Sequence, residues 1–93
     1  MRTIERTTTF KKDFKREKKA QHRKTVEGLL SAVVATLADD QQLPPANQDH
    51  PLGGDWEGYR DCHLKPDLLL IYKKPDTIRL QLVRLGSHSE LFG

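Results

Sequence analysis

Between residues 21 and 38 the apolar side chains Val26, Leu29, Leu30, Val33, Val34 and Leu37 recur at offsets of three and four, the spacing of a single helix face. A helix that starts near Gln21 and runs to Ala38 crosses the whole width of a small domain, so its apolar stripe is expected to cover one side of a sheet. With 93 residues and an apolar fraction of 35%, the chain supports a single core, read as one domain over residues 1–93.

The sheet is expected after Gly53 and Gly54, where the pattern changes period. Strands are predicted over residues 57–64, 67–73 and 77–85, separated by Lys65-Pro66 and Pro75-Asp76. Connections this short force antiparallel neighbours. Leu68, Leu69, Leu70 and Ile71 form a nearly continuous run, as in a central strand buried on both faces, whereas Ile78, Leu80 and Leu82 alternate with Arg79 and Gln81. Residues 3–8 carry Ile4 among threonines and predict one further strand. Thr9 is placed to cap a short basic helix in which Phe10 and Phe14 lie one turn apart. Residues 39–48 include Pro44 and Pro45, lack an apolar period and read as a loop, and residues 87–93 form a tail that must dock to stay ordered. The expected fold class is therefore α+β: a small, mostly antiparallel sheet of about four strands packed against two N-terminal helices.

The net charge of +3 conceals an asymmetry. Arg2, Arg6, Lys11, Lys12, Lys15, Arg16, Lys18, Lys19, Arg23 and Lys24 face only Glu5, Asp13 and Glu17 in the first 24 residues. Such a positive end attracts phosphates, which suits a nucleic-acid partner, with Lys11, Lys12 and Lys15 as the inferred contacts; solvated lysine-rich helices are equally common in proteins that bind none. The single cysteine, Cys62, excludes an intrachain disulfide and reads as a small buried hydrophobe. The longest apolar run, residues 68–72, is far too short to cross a bilayer, so no membrane partner is expected and the cytoplasm is the expected location.

Three of the four histidines, His50, His63 and His88, fall near predicted strand ends. His63 and Asp67 flank Lys65-Pro66, so a tight hairpin could set the carboxylate opposite the imidazole, orienting the ring and favouring its charged form. Side-chain alternation puts Tyr59, Asp61 and His63 on one face and Arg60, Cys62 and Leu64 on the other. RNA cleavage by ribose 2′-OH attack on the adjacent phosphate needs a base, an acid and nearby cations, which histidines and basic residues supply. A single histidine at a strand end is ordinarily a hydrogen-bonded surface residue, so the catalytic reading depends on a convergence that spacing leaves open. A zinc site built from His50, His63, His88 and a carboxylate competes with it. Against zinc, there is no HExxH or paired CxxC, and His88-Ser89-Glu90 has the H-x-E spacing of zinc deaminases without their downstream P-C-x-x-C. No glycine-rich phosphate loop or GxSxG elbow occurs either, so the expected chemistry is metal-independent and without a cofactor. A non-catalytic module that binds RNA or protein through its lysine-rich helices stays open at this level.

The run Asp49-His50-Pro51-Leu52, then Trp56-Glu57-Gly58-Tyr59-Arg60-Asp61-Cys62-His63, Pro66-Asp67 and Leu70-Ile71-Tyr72, resembles the YafQ branch of the RelE superfamily of bacterial toxins. The ending Gly86-Ser87-His88-Ser89-Glu90-Leu91-Phe92-Gly93 is similar to that branch as well, and the strand and two helices that precede these motifs follow the family's order. The resemblance implies a RelE-like fold and an endoribonuclease that cleaves mRNA in the ribosomal A site, inhibits translation and is held in check by a DinJ-like antitoxin. Its partners would be mRNA, the ribosome with its rRNA, and that antitoxin. Carried over by residue, the resemblance makes His50, His63, Asp67 and His88 the acid–base set. Asp61 and Arg60 are in supporting places, with Arg60 equally readable as a structural ion-pair partner, and Phe92 is a ring that contacts the substrate base. Members of the superfold directed at gyrase are the third alternative, and the histidine set points away from them.

Overall fold

The computed structural model describes residues 1–20 and 23–93. Strand β1 (Thr3–Arg6) leads into helices α1 (Thr8–Ala20) and α2 (Arg23–Ala38), followed by strands β2 (His50–Pro51), β3 (Arg60–Lys65), β4 (Leu68–Lys73) and β5 (Arg79–Gly86) and a short helix α3 (His88–Phe92). The sheet has the order β1-β5-β4-β3-β2; β1 runs parallel to β5 and all other neighbours are antiparallel. The parallel pair arises because α1 and α2 carry the chain across one sheet face from β1 to β2 at the opposite edge, and the antiparallel strands β2 to β5 then step back to lie beside β1. Among the described residues no helix is long and apolar enough to cross a membrane.

The main core lies between the helices and one sheet face. Phe10, Val26, Leu30, Val33, Val34 and Leu37 pack on Cys62, Leu64, Leu68, Leu70, Tyr72, Leu80, Leu82 and Leu85. Of the stripe read from the sequence, Val26, Leu30, Val33, Val34 and Leu37 are buried and Leu29 is half-buried, while Gln21, the expected helix start, lies outside the described residues. On the opposite face Leu69 and Ile71 are fully buried beneath Leu91 of α3, with Leu52, Trp56, Tyr59 and Val83 around them. The run 68–72 is thus a central strand covered on both faces, and the tail docks as a helix. Cys62 is buried, and burial pushes its thiol up to about 12, so it packs as a hydrophobe.

Four expectations are corrected. The sheet has five strands, because β2 pairs His50 with Asp61 and Pro51 with Arg60, a segment too short for any period to show. The strand expected from residue 57 begins at Arg60, because a 3-10 turn over Gly54–Trp56 and a reversal at Gly58 (φ +92°) intervene. The strand expected from residue 77 begins at Arg79: the Asp76 carboxylate accepts the N–H groups of Ile78 and Arg79, which turns the chain and leaves Ile78 66% exposed. Finally, β1 stops at Arg6 and the cap of α1 is Thr7, not Thr9; Thr7 Oγ1 accepts the Phe10 N–H at 3.0 Å and donates to the Val83 carbonyl at 2.9 Å. Thr7→Ala is expected to cost about 1–2 kcal/mol in denaturant unfolding. Thr9→Ala should change stability by less than about 0.5 kcal/mol.

Candidate active site

Cys62 and Leu64 face the helix layer, so pleating turns Asp61 and His63 to the other face of β3. The β2–β3 register then sets His50 directly across from Asp61. His50 Nδ1 lies 2.7 Å from the Gln48 carbonyl oxygen, an acceptor, so Nδ1 carries a proton. Its Nε2 sits 3.2 Å from Asp61 Oδ1, within ion-pair distance although outside hydrogen-bond geometry. Burial pushes the Asp61 carboxyl up from its ordinary value, and the charges of His50, His63 and His88 pull it the other way. With Nδ1 protonated, the lone pair of a neutral Nε2 would face the Asp61 oxygen, so a proton between Nε2 and Oδ1 is what makes this contact favourable.

The second imidazole–carboxylate pair is made by the chain end. Ser87 caps α3, its hydroxyl accepting the Glu90 N–H while Glu90 accepts the Ser87 N–H, so His88 becomes the first helical residue. Asp67 Oδ1 accepts the His88 N–H at 3.1 Å and lies 3.3 Å from His88 Nδ1. These contacts hold the Asp67 carboxyl below the usual aspartate range. They also leave Nε2 as the ring nitrogen of His88 that is turned toward incoming groups. The expected His63–Asp67 hydrogen bond is not formed: the β3–β4 register shifts between His63 and Lys65, and the turn carries Asp67 out to the start of α3. His63 instead meets His88 ring to ring, with centroids 5.5 Å apart at 61°. Its Nδ1 is buried and, among the described residues, has no hydrogen-bond partner.

Phe92 borders this cluster, 42% exposed, with its ring 6.2 Å from His88 and 6.2 Å from Trp56. Trp56 meets Tyr59 edge-on at 5.4 Å, and Lys73 Nζ stands 4.9 Å over the Tyr59 ring. Aromatic faces with an ammonium beside them suit a nucleobase and a phosphate.

His50, Asp61, His63, Asp67, His88 and Phe92 thus converge on one sheet face. Arg60 does not join them. Alternation sends it to the helix side, where its Nε is 3.3 Å from Asp49 Oδ1 and 3.2 Å from Tyr72 Oη, and Tyr72 donates to the same Asp49 oxygen at 2.6 Å. This trio fastens the residue before His50 to β4, and nothing in the spacing of residues 49, 60 and 72 announces it. Lys11, Lys12 and Lys15 are exposed on α1, in the layer on the far side of the sheet from the histidines. The Ser87-His88-Ser89-Glu90 capping box was legible as Ser-x-x-Glu and places His88.

Chemically, two imidazole–carboxylate pairs flanking a third imidazole can deliver and remove protons at one bound group. Among the described residues, no group of three or more His, Cys, Asp or Glu side chains is arranged to hold a metal ion.

Residues 2–93 match the family model described as bacterial toxin of type II toxin–antitoxin system, YafQ. The mRNA interferase toxin YafQ of Escherichia coli K12 is 39% identical over 92 residues, covering 99% of this chain and 97% of that protein. The crystal structure of a metal-bound toxin from Helicobacter pylori is 50% identical with a TM-score of 0.88, covering 99% of this chain and all of that one. The toxin in the crystal structure of the E. coli DinJ–YafQ toxin–antitoxin complex is 37% identical with a TM-score of 0.81, covering 99% and 98% of the two chains.

Proposed function

The chain belongs to the YafQ family of bacterial type II toxin–antitoxin toxins, and on that premise we propose that it is a ribosome-dependent endoribonuclease that cuts mRNA in the A site. The observation that carries this reading is the convergence of His50 with Asp61 and of His88 with Asp67 on either side of His63. One imidazole takes the proton of the ribose 2′-OH as its oxygen bonds to phosphorus. Another gives a proton to the 5′-oxygen as the P–O5′ bond breaks, leaving a 2′,3′-cyclic phosphate and a 5′-hydroxyl. Asp67 orients His88, Asp61 shares the proton of His50, and Phe92 stacks on or abuts the substrate base. Arg60 acts at one remove, by anchoring Asp49. Lys11, Lys12 and Lys15 contact ribosomal RNA. The toxin works in the cytoplasm, with a DinJ-like antitoxin as partner, a reading supported by the complex of its E. coli relative.

The chemistry proposed here uses no metal. Induction in cells followed by sequencing of mRNA 5′ ends is expected to show in-frame cuts in translated messages and arrested growth. Cleavage by purified toxin on programmed ribosomes should survive treatment of the toxin with a strong chelator before assay. A stoichiometric metal whose removal abolishes cleavage would overturn the metal-free mechanism, and the metal-bound H. pylori neighbour makes that measurement necessary. Growth arrest without mRNA cuts, abolished by charge reversal on α1 and indifferent to the histidines, would support the binding-module reading instead.

A further inference from the structure

Outside the histidine face, a cluster of ionisable side chains joins α1 to β5 and α3. Asp13 and Glu17 are buried, at 2% and 5% exposure. Between them Arg16 donates through Nη1 to Asp13 Oδ1 (2.9 Å), through Nη2 to the Leu85 carbonyl (2.8 Å) and through Nε to Glu17 Oε2 (3.1 Å). Glu90 Oε2 is 3.1 Å from the same Nε. Asp13 also accepts from Arg84 Nε at 2.8 Å and from the Leu85 N–H at 3.0 Å. One guanidinium therefore ties α1 both to the end of β5 and to the capping carboxylate of α3.

The backbone leaves room for this contact at Gly86. A Cβ there would lie 2.9 Å from Arg16 Nη2 and 3.1 Å from Glu90 Oε1, so the guanidinium and the carboxylate fill the space of a side chain. Desolvating such a cluster is costly, and apolar replacements of buried ion pairs are often neutral or stabilising, so net stability is a weak reason for having it. Geometry is a better one. Glu90 closes the capping box whose first helical residue is His88, and a five-residue helix has little rigidity of its own.

We infer that Arg16 is a positioning residue for His88: by clamping Leu85 and Glu90 to α1 it fixes the first turn of α3, and with it the imidazole against Asp67. The inference rests on the reading of His88 as an acid–base group. Arg16 makes no contact with His88 or Asp67 in the structure and acts through the helix.

The test compares Arg16→Met with the parent toxin in ribosome-dependent cleavage and follows the Asp67 carboxyl by NMR titration of the free protein. The expected result is a fall in kcat on the order of 10- to 100-fold with KM within about twofold, since small misplacements of a catalytic group cost this much. The Asp67 midpoint should rise toward the ordinary aspartate value as the His88 N–H leaves it. A merely stabilising arginine would move neither in folded protein. Undiminished kcat, a raised KM with intact kcat, or an unmoved Asp67 midpoint would each overturn the inference. If Arg16→Met does not fold, Glu90→Gln decides by the same two readouts, because glutamine keeps the capping box while removing the charge beside Arg16; about a threefold fall in kcat, the weight of one partly exposed ion pair, is then expected. His88→Ala separates the two levels. If it cleaves at the parental rate the site reading fails, whereas an inactive His88→Ala beside a fully active Arg16→Met overturns only the role of Arg16.

Discussion

Replacing His88 with alanine is expected, on the acid–base role proposed for it, to slow mRNA cleavage by about 10²- to 10⁴-fold, the usual contribution of a positioned acid–base group. The fold should be nearly untouched. The His88 side chain is 58% exposed and its carboxylate partner Asp67 is 72% exposed, so removal opens no core cavity and strands no buried charge. Substitutions at such positions typically shift stability by less than about 0.5 kcal/mol. Single-turnover cleavage of a programmed ribosome, alongside a thermal melt, measures both halves of the prediction. Asp67→Asn should give a smaller loss in the same direction, because it removes the carboxylate that orients Nδ1 and keeps the turn. Unchanged cleavage by His88→Ala would remove His88 from the acid–base set and overturn this reading of the site. The ionic state of Asp67 does not limit the assay: its carboxyl lies below the usual aspartate range, so it is charged at every pH at which ribosomes work.

The largest loss of stability is expected at Asp13→Ala, about 3–5 kcal/mol, the cost of removing one partner from a buried ion cluster. The side chain is only 3% exposed, and its loss would leave Arg84 Nε, Arg16 Nη1 and the Leu85 N–H without their acceptor. Set against a typical total of about 5–15 kcal/mol for a domain, that is enough to unfold much of the population. Denaturant unfolding at neutral pH checks it. The pH dependence gives a second check. Burial raises the Asp13 carboxyl, but the hydrogen bonds from Arg84, Leu85 and Arg16 outweigh it, and the folded value falls below the ordinary 3.8. An acid whose folded value is depressed contributes its stability above the unfolded value and loses it as pH falls through the folded one. The gap between the parent protein and Asp13→Asn should therefore be constant above about pH 5 and shrink below about pH 4, where the carboxylate takes up its proton. A gap that persists unchanged at pH 2 would mean that Asp13 contributes shape rather than charge.

The two predictions concern different faces of the sheet, and the contrast in burial explains their different readouts. Asp61 and His63 Nδ1 keep buried polar atoms short of hydrogen bonds, while the Asp13 cluster satisfies its own. Unsatisfied buried groups are destabilising, and their presence on this face is in keeping with the acid–base role proposed for it.

Much of the architecture could be read before any coordinates, because it depends on periodicities confined to neighbouring residues. The 3–4 spacing of Val26 to Leu37 identified the covering helix, the unbroken run at 68–71 the central strand, and the proline turns the antiparallel order. Alternation also separated Asp61 and His63 from Arg60 correctly. The family motifs supplied His50 and His88, which no local rule links to the others. What local order could not carry was the pairing of side chains distant in sequence. Asp67 was expected beside His63, four residues away, and instead meets His88, brought from twenty-one residues on by a helix capped at Ser87. The two-residue strand at His50 exists only once it pairs with β3, and the Arg16 clamp on Leu85 and Glu90 only once β5, α1 and α3 are packed together. A periodic pattern records which way each side chain faces along its own element. Which imidazole meets which carboxylate depends on register, bulges and the docking of the chain end, and these follow from the sum of many long-range contacts rather than from any one segment.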